Sequence, residues 1–174
     1  MRLTDYLDKG AQLGADAPCL TMEGLDLDYG RVQRFSHRVG RALRRSGIAP
    51  GDKVAVLSGN DAHAFACVFG ISRAGAVWCP INPRNEAAEN RYVLDAFDCA
   101  ALIFHSAYLP MVAQMREHLP KLGTLVCLDG ACRVRAARRG QGRAHAVHAA
   151  QASGAARGVP RRARDGRPRG PHVP

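Results

Sequence analysis

Four short apolar runs divide the chain at similar intervals, and a segment long enough for a helix separates each run from the next. The runs are residues 54–57, 76–81, 100–104 and 124–128. Each is continuously apolar rather than alternating, which is typical of strands covered on both faces. Strands that alternate with helices indicate a parallel sheet with crossover connections. We therefore predict an α/β fold, part of a doubly wound parallel sheet.

The helices are predicted from apolar residues spaced three and four apart. The predicted apolar positions are Val32, Phe35, Val39, Ala42 and Leu43, then Phe65, Val68, Phe69 and Ile71, then Tyr92, Val93 and Phe97, and finally Leu109, Val112, Met115 and Leu119. Six arginines lie mostly off the stripe of the first helix: Arg31, Arg34, Arg38, Arg41, Arg44 and Arg45. A nucleic-acid contact and a solvated helix face both fit this row. The solvated face is favoured, because no aromatic residue interleaves with the arginines.

The formal net charge of +10 lies entirely in the last 44 residues. Residues 131–174 contain 11 Arg and one acid, Asp165, which leaves 14 Lys and Arg against 14 Asp and Glu in residues 1–130. The same segment has no Leu, Ile, Phe, Met, Trp or Tyr, and Ala, Arg, Gly and Pro make up 32 of its 44 residues. We predict one domain at 1–130 and a disordered tail at 131–174, because the tail cannot bury enough apolar surface to fold.

Two origins fit the composition of this tail. Ala, Arg, Gly and Pro have codons that begin with two G or C bases, so a GC-rich gene translated out of frame beyond about Gly130 would produce it. Alternatively, the tail is a basic arm that binds nucleic acid or anionic lipid through the RGQGR and PRRAR segments. We favour loss of the reading frame, because the tail has no Lys, no aromatic residue for base stacking and no repeat.

Polar residues follow three of the predicted strands, where ligands bind in parallel sheets. These residues are Ser58, Gly59 and Asn60, then Asn82, Pro83 and Arg84, then His105 and Ser106. They could form the lip of a pocket, with Arg84 and the helix N-terminus after Asn60 available to an anion. The favoured alternative is that Asn60 caps its helix and Arg84 is solvated.

No motif in the chain carries recognisable chemistry. The sequence lacks G-x-G-x-x-G, the P-loop, G-x-S-x-G and H-E-x-x-H, and its six cysteines form no C-x-x-C pair, which favours buried thiols. Glu86 and Glu89 fit a helix surface better than an acid/base pair. We therefore assign no catalytic, cofactor-binding or metal-binding residue. A signal peptide and a membrane-spanning segment are also not recognisable, so we expect a cytoplasmic protein.

The body of the chain resembles the amino-terminal part of the adenylate-forming acyl-CoA synthetases, the fatty-acid-CoA ligases of the AMP-binding family. The matching pieces are Leu27-Asp28-Tyr29, the segment GIAPGDKVAVL at 47–57, Asn60, and above all RAGAVWCPINPR at 73–84, followed by Ala101-Leu102-Ile103. They occur in the family's order and spacing over residues 1–130. Within them, Gly75, Pro80 and Pro83 match scaffold positions of the family, with Gly75 permitting a close approach of helix and strand.

The resemblance implies an enzyme that activates a fatty acid with ATP and magnesium and transfers the acyl group from an acyl-adenylate to coenzyme A. The family's phosphate loop, which ends in Pro-Lys-Gly, its later adenine- and ribose-binding segments and its C-terminal domain have no counterpart here. We therefore expect a truncated ligase, inactive and without cofactors unless a companion chain supplies the rest. The other possibility is a separate α/β binding module for an acyl chain or CoA.

Overall fold

The computed structural model describes residues 2–130, so the predicted disorder of 131–174 lies outside the described residues. The described part contains five α-helices, six strands and one short 3₁₀ helix. In chain order they are α1 (Leu3–Leu13), β1 (Pro18–Met22), β2 (Leu25–Asp28), α2 (Tyr29–Arg45), β3 (Lys53–Leu57), α3 (Ala62–Ala74), β4 (Val77–Ile81), α4 (Ala87–Ala96), β5 (Cys99–Phe104), the 3₁₀ helix (Ser106–Tyr108), α5 (Leu109–Arg116) and β6 (Thr124–Cys127).

The four predicted apolar runs form one parallel sheet in the order β4-β3-β5-β6. From β3 the chain moves to its neighbour β4, then crosses back over β3 to reach β5 and continues outward to β6. The connections that follow β3 and β5 therefore run in opposite directions. This reversal confirms the predicted doubly wound topology and puts a topological switch point between β3 and β5, where open sheets of this class bind ligands.

Alternate residues of each central strand face opposite layers of helices. On β3, Val54 and Val56 join a core with α1, α2 and α3, whereas Ala55 and Leu57 join a second core with α4 and α5. β5 and β6 follow the same alternation. The edge strand β4 departs from the prediction that both faces are covered, because Val77 is 48% exposed and Trp78 is 42% exposed.

Helices α2 and α3 pack closely because glycines lie at their contact. A Cβ atom added at Gly70 would lie 2.5 Å from Cβ of Val39, and one added at Gly40 would lie 3.1 Å from the Gly70 carbonyl oxygen. Backbones can approach this closely only where both helices lack side chains. The six arginines of α2 are all exposed, as the sequence predicted.

Short polar residues and a left-handed glycine set the ends of the helices. Asp28 accepts a hydrogen bond from the Arg31 amide at 2.6 Å at the start of α2. Asp61 accepts one from the Ala64 amide at 2.7 Å at the start of α3. The prediction that Asn60 caps α3 is therefore wrong by one residue. Gly75 ends α3 with φ +80°. A Cβ atom added at Gly75 would lie 3.3 Å from Cβ of Pro50, so its close neighbour is the turn before β3 and not the predicted strand.

Of the three apolar positions predicted for α4, Val93 packs against the core, whereas Tyr92 and Phe97 do not. Tyr92 is 73% exposed, and Phe97, which follows the last residue of the helix, is 55% exposed. The buried positions are instead Ala87, Asn90 and Leu94. The helix has only 10 residues, and its aromatic side chains point outward while smaller ones fill the space against α5 and the sheet.

The strand β1 was not predicted, and it pairs antiparallel with β2 through a turn at Glu23 and Gly24, both with positive φ. No helix within residues 2–130 combines the length and the apolar character needed to cross a bilayer.

Candidate functional site

The candidate site is the edge of the sheet where β3, β4, β5 and β6 end, centred on the switch point. The His105 amide donates to the Leu57 carbonyl at 3.1 Å, which continues the pairing of β3 with β5 by one residue. The Tyr108 side chain covers Gly59, because its hydroxyl oxygen would lie 3.6 Å from a Cβ atom added there. The predicted residues after β3 and β5 therefore do lie together at the switch point.

Asp129, which follows β6, binds the residues that follow β5. Its carboxylate accepts hydrogen bonds from the Ser106 amide at 2.8 Å and from the Ser106 hydroxyl at 2.5 Å. His105 Nε2 lies 3.2 Å from Oδ2 of the same carboxylate. We call these three residues the rim clasp. Sequence reasoning missed Asp129, although its position directly beyond the fourth apolar run was a usable signal.

The rim clasp contains the side chains of a Ser-His-Asp relay but not its geometry. In such a relay the histidine lies between the other two residues and accepts the serine proton. Here the Ser106 hydroxyl donates to Asp129 directly, and His105 Nδ1 accepts from the Ala107 amide at 3.2 Å. His105 therefore does not accept the Ser106 proton, and the group that does accept this hydrogen bond, the Asp129 carboxylate, is a weak base, so the arrangement favours a structural cap over a nucleophile.

Hydrogen bonding also sets the ionisation of the clasp. Burial of Asp129 works against its charged form, but the Ser106 hydroxyl and amide and the nearby His105 outweigh that effect and hold the pKa of Asp129 below its usual value. The carboxylate is therefore charged at neutral pH, with both of its oxygens engaged by neighbouring residues.

The loop after β4 is also folded onto itself. Asn82 Oδ1 accepts from the Arg84 amide at 3.0 Å, and the Asn82 carbonyl accepts from the side chain of Asn90 at 3.0 Å. Asn90 is 1% exposed, and its Oδ1 atom has no hydrogen-bond partner among residues 2–130. Arg84 is exposed and forms no ion pair within the described part of the chain, an environment that fits both a solvated side chain and one available to an anion.

The described rim does not fit a magnesium nucleotide. Magnesium needs carboxylate or carbonyl oxygens that are free to coordinate, yet Asp129 is engaged by Ser106 and Asp61 caps α3. Among residues 2–130 no three His, Cys, Asp or Glu side chains gather into a possible metal site. Glu86 and Glu89 lie at the surface start of α4, where the Glu86 amide donates to Glu89 at 2.9 Å.

A second polar cluster, missed from the sequence, lies in the helix layer. Arg73 donates to both carboxylate oxygens of Asp8 and, through Nε, to the Ser36 hydroxyl at 2.7 Å. Gln33 donates to Asp8 at 2.9 Å. The hydrogen bond and charge of Arg73 lower the pKa of Asp8. We call this cluster the helix clamp, because it joins α1, α2 and α3; its ion pair spans 65 positions in sequence, and local patterns carry no signal of it.

Four of the cysteines in the described part are buried, as predicted: Cys67, Cys79, Cys99 and Cys127. Burial, with the neighbouring Cys79 adding to it, raises the pKa of Cys99 to about 12. Burial also raises the pKa of Cys67. Thiols with raised pKa are poor nucleophiles at neutral pH, so neither is a catalytic candidate. Cys132 lies outside the described residues.

The sequence matches a family of known proteins. Residues 7–161 match the AMP-binding enzyme family, a match that extends into the Arg-rich segment. The chain is 33% identical over 118 residues to the fatty acid–[acyl-carrier-protein] ligase ScoC of Streptomyces coeruleorubidus, covering 68% of this chain and 22% of that protein. It is 26% identical over 129 residues to the 3-oxocholest-4-en-26-oate–CoA ligase of Rhodococcus rhodochrous, covering 74% of this chain and 23% of that protein. The chain thus spans under a quarter of the length of these curated relatives.

Solved structures show the same fold. A long-chain-fatty-acid CoA ligase described as putative, from Rhodopseudomonas palustris, superposes with a TM-score of 0.73 at 23% identity, over 77% of this chain and 34% of that one. The anthranilate CoA ligase AuaEII, solved with anthranoyl-AMP, superposes with a TM-score of 0.70 at 27% identity, over 73% of this chain and 25% of that one.

Proposed function

The chain belongs to the AMP-binding enzyme family, and we propose that it is the amino-terminal part of a ligase that activates a fatty acid. The intact enzyme would use ATP and magnesium to form an acyl-adenylate, release pyrophosphate and transfer the acyl group to coenzyme A. The family resemblance predicted from the motifs is confirmed; the fatty-acid substrate is the proposal. Its support is the family match together with a relative at 33% identity that acts on a fatty acid.

The observation that carries the proposal is the family match together with the fold, because the doubly wound sheet of this chain superposes on part of a larger ligase structure. The superposed region makes up 77% of this chain but 34% of the long-chain-fatty-acid CoA ligase that it resembles. The residues at the end of its sheet are engaged with one another in the rim clasp and in the loop after β4. In this proposal, residues 2–130 act as a scaffold against which the nucleotide-binding parts of the enzyme pack.

We propose further that these 174 residues alone are catalytically silent. No Pro-Lys-Gly sequence occurs in the chain, so nothing in it corresponds to the phosphate loop of the family. The two oxygens of Asp129 are already occupied and cannot replace the missing groups. Activity would then require a companion polypeptide, or a longer product of the same gene, that supplies the rest of the ligase.

The first test is to determine the nucleotide sequence from codon 120, shortly before the Arg-rich segment, to well past the stop codon and to translate all three frames. The proposal expects another frame to resume the synthetase pattern and to reach a loop ending in Pro-Lys-Gly. If no frame does so, residues 131–174 are an authentic terminus, and the basic-arm alternative replaces the loss of frame. The family match as far as residue 161 makes this test necessary, because it includes part of that segment.

The second test measures the substrate. The protein translated from the restored frame should form acyl-CoA from a fatty acid in the presence of ATP, magnesium and coenzyme A. Aromatic acids such as anthranilate serve as the comparison, because one structural relative binds anthranoyl-AMP. Faster turnover of an aromatic acid than of any fatty acid would overturn the fatty-acid proposal while leaving the family unchanged.

A further inference from the structure

Four arginines of α2 form one line along the exposed side of the helix. Arg34, Arg38, Arg41 and Arg45 follow one another at intervals of four, three and four residues, so they lie above one another on the same face. All four are exposed. With a rise of 1.5 Å per residue, the line is about 16 Å long. We call it the arginine stripe.

The stripe is not neutralised within the described part of the chain. Residues 29–45 contain no Asp or Glu, and no carboxylate of residues 2–130 forms an ion pair with any of the four arginines. The two other arginines of α2 differ in this respect. Arg31 pairs with Asp28 at 3.1 Å, and Arg44 donates to the Arg73 carbonyl oxygen.

Folding alone gives no reason for this arrangement. Like charges at helical spacing are mutually destabilising by about 0.2–0.5 kcal/mol per pair. Arg45 in the last turn is favoured by the helix dipole, but Arg34 and Arg38 lie too far from the C-terminus to gain from it. The guanidinium of Arg38 lies 5.8 Å from the ring of Phe35, which orients that side chain without neutralising it.

The helix holds the stripe in a fixed position. The opposite side of α2 is buried, with Val32 and Leu43 at 0% and 2% exposure, and close contact with α3 prevents the helix from turning. α2 also packs against α1. The stripe therefore lies along the outer surface of a fixed helix and can meet a flat anionic surface with all four charges at once.

We propose that the arginine stripe binds the surface of an anionic lipid bilayer. This inference rests on the proposed function: the acyl chain of a long-chain fatty acid partitions into bilayers, so a ligase held at the surface is held where its substrate is concentrated. Each basic residue near such a surface contributes about 1 kcal/mol to binding. The contact between α2 and the bilayer would be electrostatic only, because the apolar side of α2 is buried in the core.

The composition of the stripe favours lipid headgroups over nucleic acid. No Phe, Tyr or Trp side chain is exposed between the arginines to stack on bases, because Phe35, which contacts Arg38, is buried. The only amide side chain of the helix, Gln33, is already bonded to Asp8. A surface that offers charge without groups that recognise bases suits a headgroup layer, in which charge is spread over a plane.

The test compares two variants of the full chain that lose equal charge. In the stripe variant, Arg34, Arg38, Arg41 and Arg45 are each replaced by Gln; in the tail variant, Arg133, Arg135, Arg138 and Arg139 are replaced by Gln. Each loses four positive charges. Binding is measured by co-sedimentation with vesicles of mixed phosphatidylcholine and phosphatidylserine, with phosphatidylcholine vesicles as the neutral comparison and circular dichroism as the check on folding.

We expect the stripe variant to bind the anionic vesicles roughly 700-fold more weakly than the unmodified chain, and the tail variant to lose clearly less. A stripe variant carrying Lys at the four positions should restore binding and, if the Gln variant fails to fold, single Arg38→Gln and Arg41→Gln substitutions should each weaken it. A tail variant that loses as much as the stripe variant would overturn the proposal. Tighter stripe-dependent binding to duplex DNA than to vesicles would also overturn it.

The assay contains neither ATP nor fatty acid, so its outcome is independent of the ligase reaction. If the vesicles do not bind through the stripe, the fatty-acid proposal still stands on its own tests. If the vesicles do bind but the protein translated from the restored frame activates no fatty acid, the arginine stripe is still a lipid-binding surface. The proposed connection between that surface and a lipid substrate is then wrong.

Discussion

The helix clamp and the rim clasp both join distant segments through an aspartate, but they differ in what surrounds the carboxylate. Asp8 meets the guanidinium of Arg73, whose side chain is 11% exposed, inside the layer formed by α1, α2 and α3. Asp129 meets the hydroxyl and amide of Ser106 at the open end of the sheet; the two aspartate side chains are equally exposed, at 33%, so the difference lies in their partners.

The difference shows how this molecule uses its polar residues. The clamp holds a cation that would be costly to leave without a partner, whereas the clasp holds neutral donors that water could replace. In both clusters the aspartate carboxylate is bonded to other residues of the same chain. We propose that the end of the sheet, where an α/β domain usually presents its chemistry, serves in this chain as scaffold. A line of four arginines without ion pairs in the described part lies instead on the outer face of α2.

The largest effect is expected from Gly70→Ala, on the clamp side of the molecule. The added methyl group would lie 2.5 Å from Cβ of Val39, and we expect it to lower the free energy of unfolding by about 3 kcal/mol. Urea denaturation measures the change. The matched control is Gly59→Ala at the rim, where the nearest atom would be 3.6 Å away and little loss is expected. Equal losses at the two glycines would show that the helix layer is not the tighter region.

Removal of the clamp carboxylate should have the next largest effect. Asp8→Ala leaves the nearly buried Arg73 without its anion, and we expect a loss of about 2 kcal/mol, less than for a fully buried pair because Asp8 is partly exposed. Lys121→Ala is the control, since it breaks an ion pair with Asp98 that lies in solvent. No resolvable change in unfolding is expected there. If the two variants were equally stable, the clamp would be no more than a surface ion pair.

The rim clasp should matter less than the clamp. Asp129→Ala removes the acceptor of two hydrogen bonds from Ser106, and we expect a loss of about 1 kcal/mol. Ser106→Ala removes one of those bonds and should cost less. Thermal unfolding of both variants alongside Asp8→Ala gives the order directly. A larger loss for Asp129→Ala than for Asp8→Ala would reverse the comparison.

The smallest expected effect is on the pH dependence of the free energy of unfolding. The pKa values of Asp8 and Asp129 are both lowered in the folded chain, so each contributes stability that is present above the unfolded pKa of about 3.9 and is lost as pH falls through the lower folded value. Stability should therefore decline below about pH 4. Asp8→Asn and Asp129→Asn should each flatten that decline when urea unfolding is repeated across this range. An unchanged pH profile in both variants would show that neither carboxylate is linked to folding.

The sequence predicted the framework better than the site. The four strands, their parallel pairing and the apolar side of α2 follow from runs and spacings that depend on neighbouring residues, and the structure confirms them. Two of the three apolar positions predicted for α4 are wrong, because a short helix can turn Tyr92 and Phe97 outward when α5 and the sheet leave room only for smaller side chains.

The polar clusters depend on contacts between segments far apart in sequence. Arg73 was visible as part of a motif, but its partner Asp8 lies 65 positions away. Asp129 was within reach of prediction, because it follows β6 as His105 follows β5. Asn60 was chosen as a cap over its neighbour Asp61, a choice between two adjacent good caps that the local sequence leaves open.

The decisive measurement is fatty-acid-dependent exchange of labelled pyrophosphate into ATP by the purified 174-residue chain. We expect no exchange above that of a sample without protein, and we expect exchange by a longer product of the gene in which the proposed loss of frame has been reversed. Fatty-acid-dependent exchange by the 174-residue chain alone would overturn the proposal, since residues proposed to be scaffold would then be forming an acyl-adenylate.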